Sequence, residues 1–433
     1  MAFPYPSREL QSMNPSAENP AGVVATQEAD TPQQLTPLLT LFFATAVGVI
    51  VMNLFAAQPL TGAIGRSLHL APELAGLVAM LPQLGYAAGL VLLVPLCDLL
   101  ENRRLIVRTL SCCAGFLAIA MITESRSVFL LAVFLAGAAS SVIQMLVPMA
   151  ASMASESHRG RAVGNVMSGL MFGILLSRPA ASVIAGAVGW RAFYGLAALI
   201  DALLAVVLYM KLPARLPVVA TRYPALLRSL WTLLRTEPVL QRNAASAALV
   251  MGAFSAFWTA IGLRLARPPF SFDMNGIALF ALAGAAGAIV TPLAGRAGDR
   301  GAGRTALIAG HLIMLVALVV IGVAGAGWGG FPIGNHPVLA VALLVAGAAA
   351  LDAGVVTDQT LGRRAINLMN PAARGRLNGL FVGVFFVGGA LGAMCSGVAW
   401  SLAGWTGVCV VGFVFTGVAF VLRLIGVLRG TDV

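Results

Sequence analysis

Charge is scarce in this chain. Asp, Glu, Lys and Arg together supply 10% of 433 residues, where a soluble domain spends roughly a quarter of its length on them. Histidine occurs only four times, and the four are scattered. No clustered His, Ser and Asp set forms, nor a group of metal ligands at one depth, so the sequence argues against an enzyme and no cofactor is expected. No nucleotide-binding P-loop occurs, which excludes direct use of ATP through that motif. The five cysteines (Cys97, Cys112, Cys113, Cys395, Cys409) fall in or at the edges of apolar runs. Their spacing suggests neither metal nor disulfide, and packing is their expected role. The first 35 residues contain no cleavable secretory signal.

What fills the chain instead is apolar. Hydrophobic residues make up 59% and glycine 48 positions. Twelve runs are each long enough to cross a bilayer core about 30 Å thick: 38–60, 74–96, 105–123, 128–150, 162–187, 191–210, 243–265, 274–295, 305–326, 338–360, 377–400 and 404–425. A soluble bundle would need polar faces on its outer helices, and none of these runs offers one. Small residues inside them, as in Leu135 to Ala139 and Ala281 to Ala288, let helix backbones approach closely where lipid supplies no hydrophobic drive.

Basic residues set the orientation. With both termini in the cytoplasm, 21 of the 27 Lys and Arg fall on the inner side, and only Arg66, Arg126, Arg191, Arg264 and Arg267 on the outer. Arg178 remains within a span. Such a bias supports an even number of spans and inner-leaflet contact with anionic lipid. It also accounts for the net charge of +11 without nucleic acid, since no aromatic platform or DNA-binding motif accompanies these residues.

The organisation follows: 1–35 as a disordered cytoplasmic tail, 36–210 as a six-helix bundle, 211–242 as a cytoplasmic linker, 243–426 as a second six-helix bundle, and 427–433 as a short tail. Within the linker, Tyr223 to Leu234 suits a short amphipathic helix. The halves echo each other. Asp98 with Arg103 and Arg104 follows the second span, and Asp299 with Arg304 follows the eighth. Arg159-Gly160-Arg161 and Gly189-Trp190 flank the fifth span; Arg374-Gly375-Arg376 and Gly404-Trp405 flank the eleventh at a constant offset. Such repeats are the architecture of alternating-access transporters.

On these residues the chain resembles the major facilitator superfamily, in particular its bacterial drug-efflux-like branch, over essentially all of 38–425. The run Gly295-Arg296-Ala297-Gly298-Asp299-Arg300-Gly301-Ala302-Gly303-Arg304 is similar to the family's loop motif Gly-x-x-x-Asp-Arg/Lys-x-Gly-Arg-Arg/Lys, with one extra residue. The copy around Asp98 is degenerate, with Val94 at the first glycine position. Gly169 to Gly173, continuing to Arg178-Pro179 and Gly186, resembles the Gly/Pro-rich stretch of antiporter members, although Arg178 precedes the proline. Asn53 to Leu60 is similar to the first span of an exporter-like subgroup. The resemblance implies an all-α polytopic membrane protein of 12 transmembrane helices in two pseudo-symmetric six-helix bundles, acting as a monomer.

Roles can be assigned from position. Asp98, Arg103, Arg104, Gly295, Asp299, Arg300 and Arg304 are candidate gating residues, the aspartates pairing with nearby arginines or a helix N-terminus. Arg178 lies about sixteen residues into the fifth span, where an arginine is costly unless it meets a polar cavity or partner. It suits an anionic or carbonyl-bearing substrate, or the tuning of a neighbouring acid; snorkelling to the outer interface is the structural alternative. Asp201, Asp352 and Asp358 are candidate proton carriers. Asp352 and Asp358 sit about 120° apart on a helix and should not share a face. Asp201 and Asp352 are alternatively structural partners of Arg178. Asn53, Gln58, Gln83, Tyr86, Gln144, Asn243, Asn275 and Gln359 are polar groups for a central path, and Phe254, Phe257, Trp258, Phe385 and Phe386 an aromatic wall. His311 is expected to pack. The function so indicated is a proton-coupled exporter of a small organic or amphiphilic solute. The alternatives are an uptake symporter or uniporter and a non-transporting membrane sensor.

Overall fold

Proline and glycine decide where the long apolar runs bend and stop. A computed structural model describes residues 36–216, 222–370 and 373–428, and every regular element among them is helical. The two expected tails lie outside the described residues, except for the last residues before 429, as does the linker segment 217–221.

The first span is α1 (Pro37–Phe55), broken at Ala56 and continued by α2 (Ala57–Ser67). Pro59 falls in the first turn of α2, where its missing N–H costs nothing. The second span is α3 (Leu77–Leu92), flanked by single 3-10 turns Pro72–Leu74 and Val94–Asp98. Next come α4 (Asn102–Ile122) and a fourth span built from α5 (Arg126–Ala139) and α6 (Ile143–Met153). The fifth and sixth spans are α7 (Arg159–Val188) and α8 (Trp190–Lys211).

The linker contains α9 (Tyr223–Thr236), which buries Leu226 and Leu230 and exposes Trp231. It is tied at both ends of its neighbourhood: the Tyr223 hydroxyl donates to the Leu92 carbonyl at 2.8 Å, and Arg376 donates to Ser229 Oγ at 3.1 Å.

The second half opens with α10 (Pro238–Leu265), which starts inside the expected linker because Pro238 occupies the helix's first position. The eighth span is α11 (Met274–Ala281) and α12 (Ala286–Asp299), joined by a 3-10 turn Leu282–Ala285. The Gly/Ala run thus breaks the helix as well as packing closely. Then follow α13 (Gly303–Ala326) and α14 (Pro337–Met369). At 33 residues α14 is about 50 Å long, so its inner end outruns the bilayer. Finally α15 (Arg374–Leu428) holds two spans separated by non-helical backbone at Ala403 and Gly404. Twelve crossings result, as the sequence indicates.

The echo between halves has a structural basis. Gly189 (φ +90°) ends the fifth span and Gly404 (φ +56°) the eleventh, a conformation glycine adopts at low cost. The tryptophan after each is buried: Trp190 packs edge-on against Phe129, and Trp405 against Phe257. Glycine also sets the helix pairs. A Cβ on Gly169 would strike Ala44 of α1, and one on Gly173 the Gly48 carbonyl. In the second half, Gly388 meets the Ala248 carbonyl of α10 and Gly392 that of Gly252. An alanine and a glycine four apart therefore face two glycines four apart in both halves.

Between halves, the close contacts run from mid-depth to the end opposite the basic loops. Gly76 lies against Ala393, Gly62 against Leu263, and Gly186 against Met274. The two bundles are closed on that side.

Gly173→Val would push a branched side chain into α1 backbone that cannot rotate away. It should cost about 1–3 kcal/mol and lower the melting temperature in detergent. Gly164→Val, on the same helix where an added Cβ meets nothing within 4 Å, should leave it almost unchanged.

Candidate functional site

Burying a guanidinium inside a membrane span requires something to replace its water. For Arg178, only 2% exposed on α7, three aromatic rings and one amide do so. Its guanidinium carbon lies 4.2 Å from the Trp258 ring centre, 4.9 Å from Phe254 and 5.5 Å from Phe55. Such desolvated cation–π contacts contribute about 2 kcal/mol or more. Its Nε donates to Gln58 Oε1 at 2.8 Å. Phe55 and Gln58 flank the break between α1 and α2, and Phe254 and Trp258 sit one turn apart on α10. The arginine of one half is thus held largely by the aromatic residues of the other. It does not snorkel.

Asp352 completes the centre. Trp258 Nε1 donates to its Oδ1 at 3.0 Å. A Cβ on Gly284, in the 3-10 turn between α11 and α12, would sit 3.1 Å from Asp352 Oδ2 and 3.5 Å from Arg178 Nη1. Both charged groups therefore face one small volume that only glycine leaves open. Arg178 Nη2 and Gln58 Nε2 are buried with no hydrogen-bond partner among the described residues. Two orphaned buried donors are a costly arrangement, and it favours an incoming acceptor.

Toward the inner end, the Ser255 hydroxyl donates to Gln83 Oε1 at 3.1 Å, joining α10 to α3. Gln144 Nε2 donates to the Tyr86 hydroxyl at 3.2 Å, and the Tyr86 ring meets Phe386 at 4.7 Å. Gln83, Tyr86, Gln144, Phe254, Trp258, Arg178 and Asp352 thus connect through a chain of contacts spanning both halves.

The other expected residues lie elsewhere. Asn53 does not join Arg178: its Nδ2 donates to Asp201 Oδ2 at 3.0 Å, within the first half and beside Cys113. Asp201 is therefore not the partner of Arg178; Asp352 stands beside it. Asp358 belongs to a third group, taking Arg423 Nη2 at 3.1 Å and the Ser246 hydroxyl at 2.8 Å. His311 Nε2 lies 3.5 Å from Asp358 Oδ2, while its Nδ1 contacts the Leu307 carbonyl at 2.8 Å. Arg423, assigned to the inner side, is 4% exposed because Asp358, Ser246 and Asn243 take its guanidinium in place of water.

At the inner ends, Asp299 pairs with Arg364 of α14. Arg103 and Arg104 pair with Glu101, at 3.5 and 2.7 Å, and not with Asp98. Glu101 directly precedes α4 and faces the helix's first turn, so it meets those arginines first. A Cβ on Gly295 would meet nothing within 4 Å, and Arg300 lies in the turn after Asp299. Gly284, Phe55, Arg364 and Glu101 are contributors that sequence reasoning passed over. Only the oppositely charged neighbours of Arg103 and Arg104 gave a signal for one of them.

Two six-span halves, matched in their glycine contacts and meeting over a buried charged centre, define a secondary transporter, not an enzyme. The Major Facilitator Superfamily model matches residues 41–361, and the chain belongs to that family as a multi-pass membrane protein. It is 37% identical to the uncharacterized transporter YgaY of Escherichia coli O157:H7, over 88% of this chain and 93% of that one. Among solved structures, the nucleoside transporter NupG aligns with a TM-score of 0.67 at 14% identity, covering 89% of this chain and 98% of its own. The human organic anion transporter MFSD10 aligns at 0.60 and 17%, covering 89% and 98%.

If Arg178 and Asp352 offset each other's burial, their losses will not add. Arg178→Leu and Asp352→Asn should each destabilise the protein in detergent, and the double substitution should recover about 1–3 kcal/mol of the summed loss. A double-mutant cycle on thermal or denaturant unfolding measures this.

Proposed function

We propose that the chain acts as a monomer and carries a small organic solute with a carboxylate or comparable acceptor group across the membrane by alternating access, together with a proton. The carrying observation is the pair of orphaned donors, Arg178 Nη2 and Gln58 Nε2, in a centre where Arg178 and Asp352 face the space left by Gly284. An anionic group on Arg178 would occupy the charge that otherwise offsets Asp352. The centre then regains its balance when Asp352 takes a proton, so solute and proton bind together. That linkage is symport, and uptake is its direction under an inward proton gradient. The aligned nucleoside and organic anion transporters lend support to a polar cargo. Asp201, held by Asn53 within one half, serves structure in this reading. The Asp299–Arg364 pair, with the loop from Gly295 to Arg304, would serve as the inner gate.

A second reading is export of an amphiphile against protons, as the drug-efflux resemblance implies. The rings of Phe55, Phe254, Trp258 and Phe386 around the centre favour it. A cationic amphiphile would compete with the proton for Asp352, which gives antiport.

The experiment is flux in proteoliposomes under an imposed pH gradient, across organic anions, nucleosides and organic cations. Symport appears as accumulation of an acceptor-bearing solute driven by an inward proton gradient. Asp352→Asn should abolish that accumulation while retaining solute exchange at zero gradient. Proton-driven extrusion of cations, insensitive to Arg178→Lys, would replace symport with efflux.

A further inference from the structure

Three buried groups of the second half take no part in the central site. His311 of α13, Asp358 of α14 and Arg423 of α15 are 1%, 1% and 4% exposed. The imidazole Nδ1 stands 2.8 Å from the Leu307 carbonyl, one turn earlier on α13. A carbonyl oxygen only accepts, so Nδ1 carries the hydrogen, and a neutral ring leaves a lone pair on Nε2. That lone pair faces Asp358 Oδ2 at 3.5 Å. Two acceptors confront each other, and Nε2 is accordingly buried with no hydrogen-bond partner among the described residues.

The carboxylate is unevenly engaged. Its Oδ2 accepts from the Ser246 hydroxyl at 2.8 Å and from Arg423 Nη2 and Nε at 3.1 and 3.3 Å. Its Oδ1 is buried without a partner among the described residues. Arg423 already supplies Asp358 with a counter-charge, so the position left for an arriving proton is Nε2. An Nε2–H would meet a carboxylate with acceptor capacity to spare.

We propose that His311 Nε2, backed by Asp358, is a proton-binding site separate from Asp352, and that occupying it ties α13 to α14 and α15 through one carboxylate. From α14 the charged group facing the imidazole is Asp358, which favours the added proton. From α15 it is Arg423, which opposes it, but only Asp358 would share a hydrogen bond with the new N–H. Helix α10 brings the uncharged Ser246 and Asn243 to the cluster, and the Phe420 ring lies 6.5 Å from the imidazole. Helix α12 brings no charged group into contact with it among the described residues. Arg304 of α13 lies seven residues before His311, about 10 Å along the axis. A cavity of about 660 Å³ has Leu307, Asn243 and Arg423 in its wall together with the exposed turn residues Gly301 and Arg304. Water and protons thus have a way in from the inner side. Arg364, which holds Asp299, lies six residues beyond Asp358 on α14, so a loaded site braces α14 within two turns of that pair. The inference does not depend on what the central site carries.

The test uses the full-length protein in lipid nanodiscs, with His69→Gln, His158→Gln and His336→Gln leaving His311 as the single histidine. Nitrogen-15 NMR follows both ring nitrogens from about pH 5 to about pH 8, the range in which histidine changes charge. Nδ1 should stay protonated throughout, and Nε2 should gain its proton within that range. Asp358→Asn should lower the proton affinity of Nε2 roughly tenfold. Where that variant fails to fold, the Nε2-bound proton reads the carboxylate bond directly and should resonate downfield of a water-exposed imidazolium. An Nε2 that stays bare at about pH 5, or protonated at about pH 8, overturns the site. Unchanged affinity in folded Asp358→Asn protein, or no downfield shift, overturns Asp358 as its partner.

Discussion

A guanidinium that cannot shed its charge, set halfway through a bilayer, obliges its surroundings to do the work of water. Around Arg178 that obligation is met by rings from both halves, one amide and a nearby carboxylate. The break between α1 and α2 brings Phe55 and Gln58 to it, and the 3-10 turn at Gly284 leaves the shared space open. These departures from regular helix occur where the charge needs neighbours. Irregular backbone at membrane depth is tolerated where protein covers it or a polar site needs it.

The glycine contacts supply the rigidity this centre requires. Without a hydrophobic drive between helices in lipid, association rests on close packing. The α1–α7 and α10–α15 pairs approach until one backbone touches the other. Each half is packed by such contacts, and the same close approach recurs between the halves where Gly76 lies against Ala393. The three buried charge groups are distributed over both halves. Asp201 with Asn53, and Asp358 with Arg423, lie within single halves, whereas the Arg178 group spans the two.

Much of this was legible because the bilayer restricts the choices so severely. Apolar length fixed the number of crossings, and Gly189-Trp190 and Gly404-Trp405 marked equivalent corners whose glycines do adopt positive φ. Arg178 and Asp352 stood out as charges where charge is expensive. Which of Asp201 and Asp352 stands beside Arg178 did not, because it depends on how α7 and α14 rotate toward α10, and single-helix spacing holds no such information. Gly284 was lost among many small residues that pack in other ways. The burial of Arg423 depends on Asp358 and Ser246 of other helices, which its own run does not reveal, and Asp98 was granted arginines that Glu101 takes by lying one helical turn from Arg104.

The linker helix α9 is fastened on one side to the end of α3, through Tyr223, and on the other to the start of α15, through Arg376. Those two anchor points belong to opposite halves. Any swing of one half against the other at that end must therefore lengthen one of these bonds or drag the helix along, so α9 works as a strut between them.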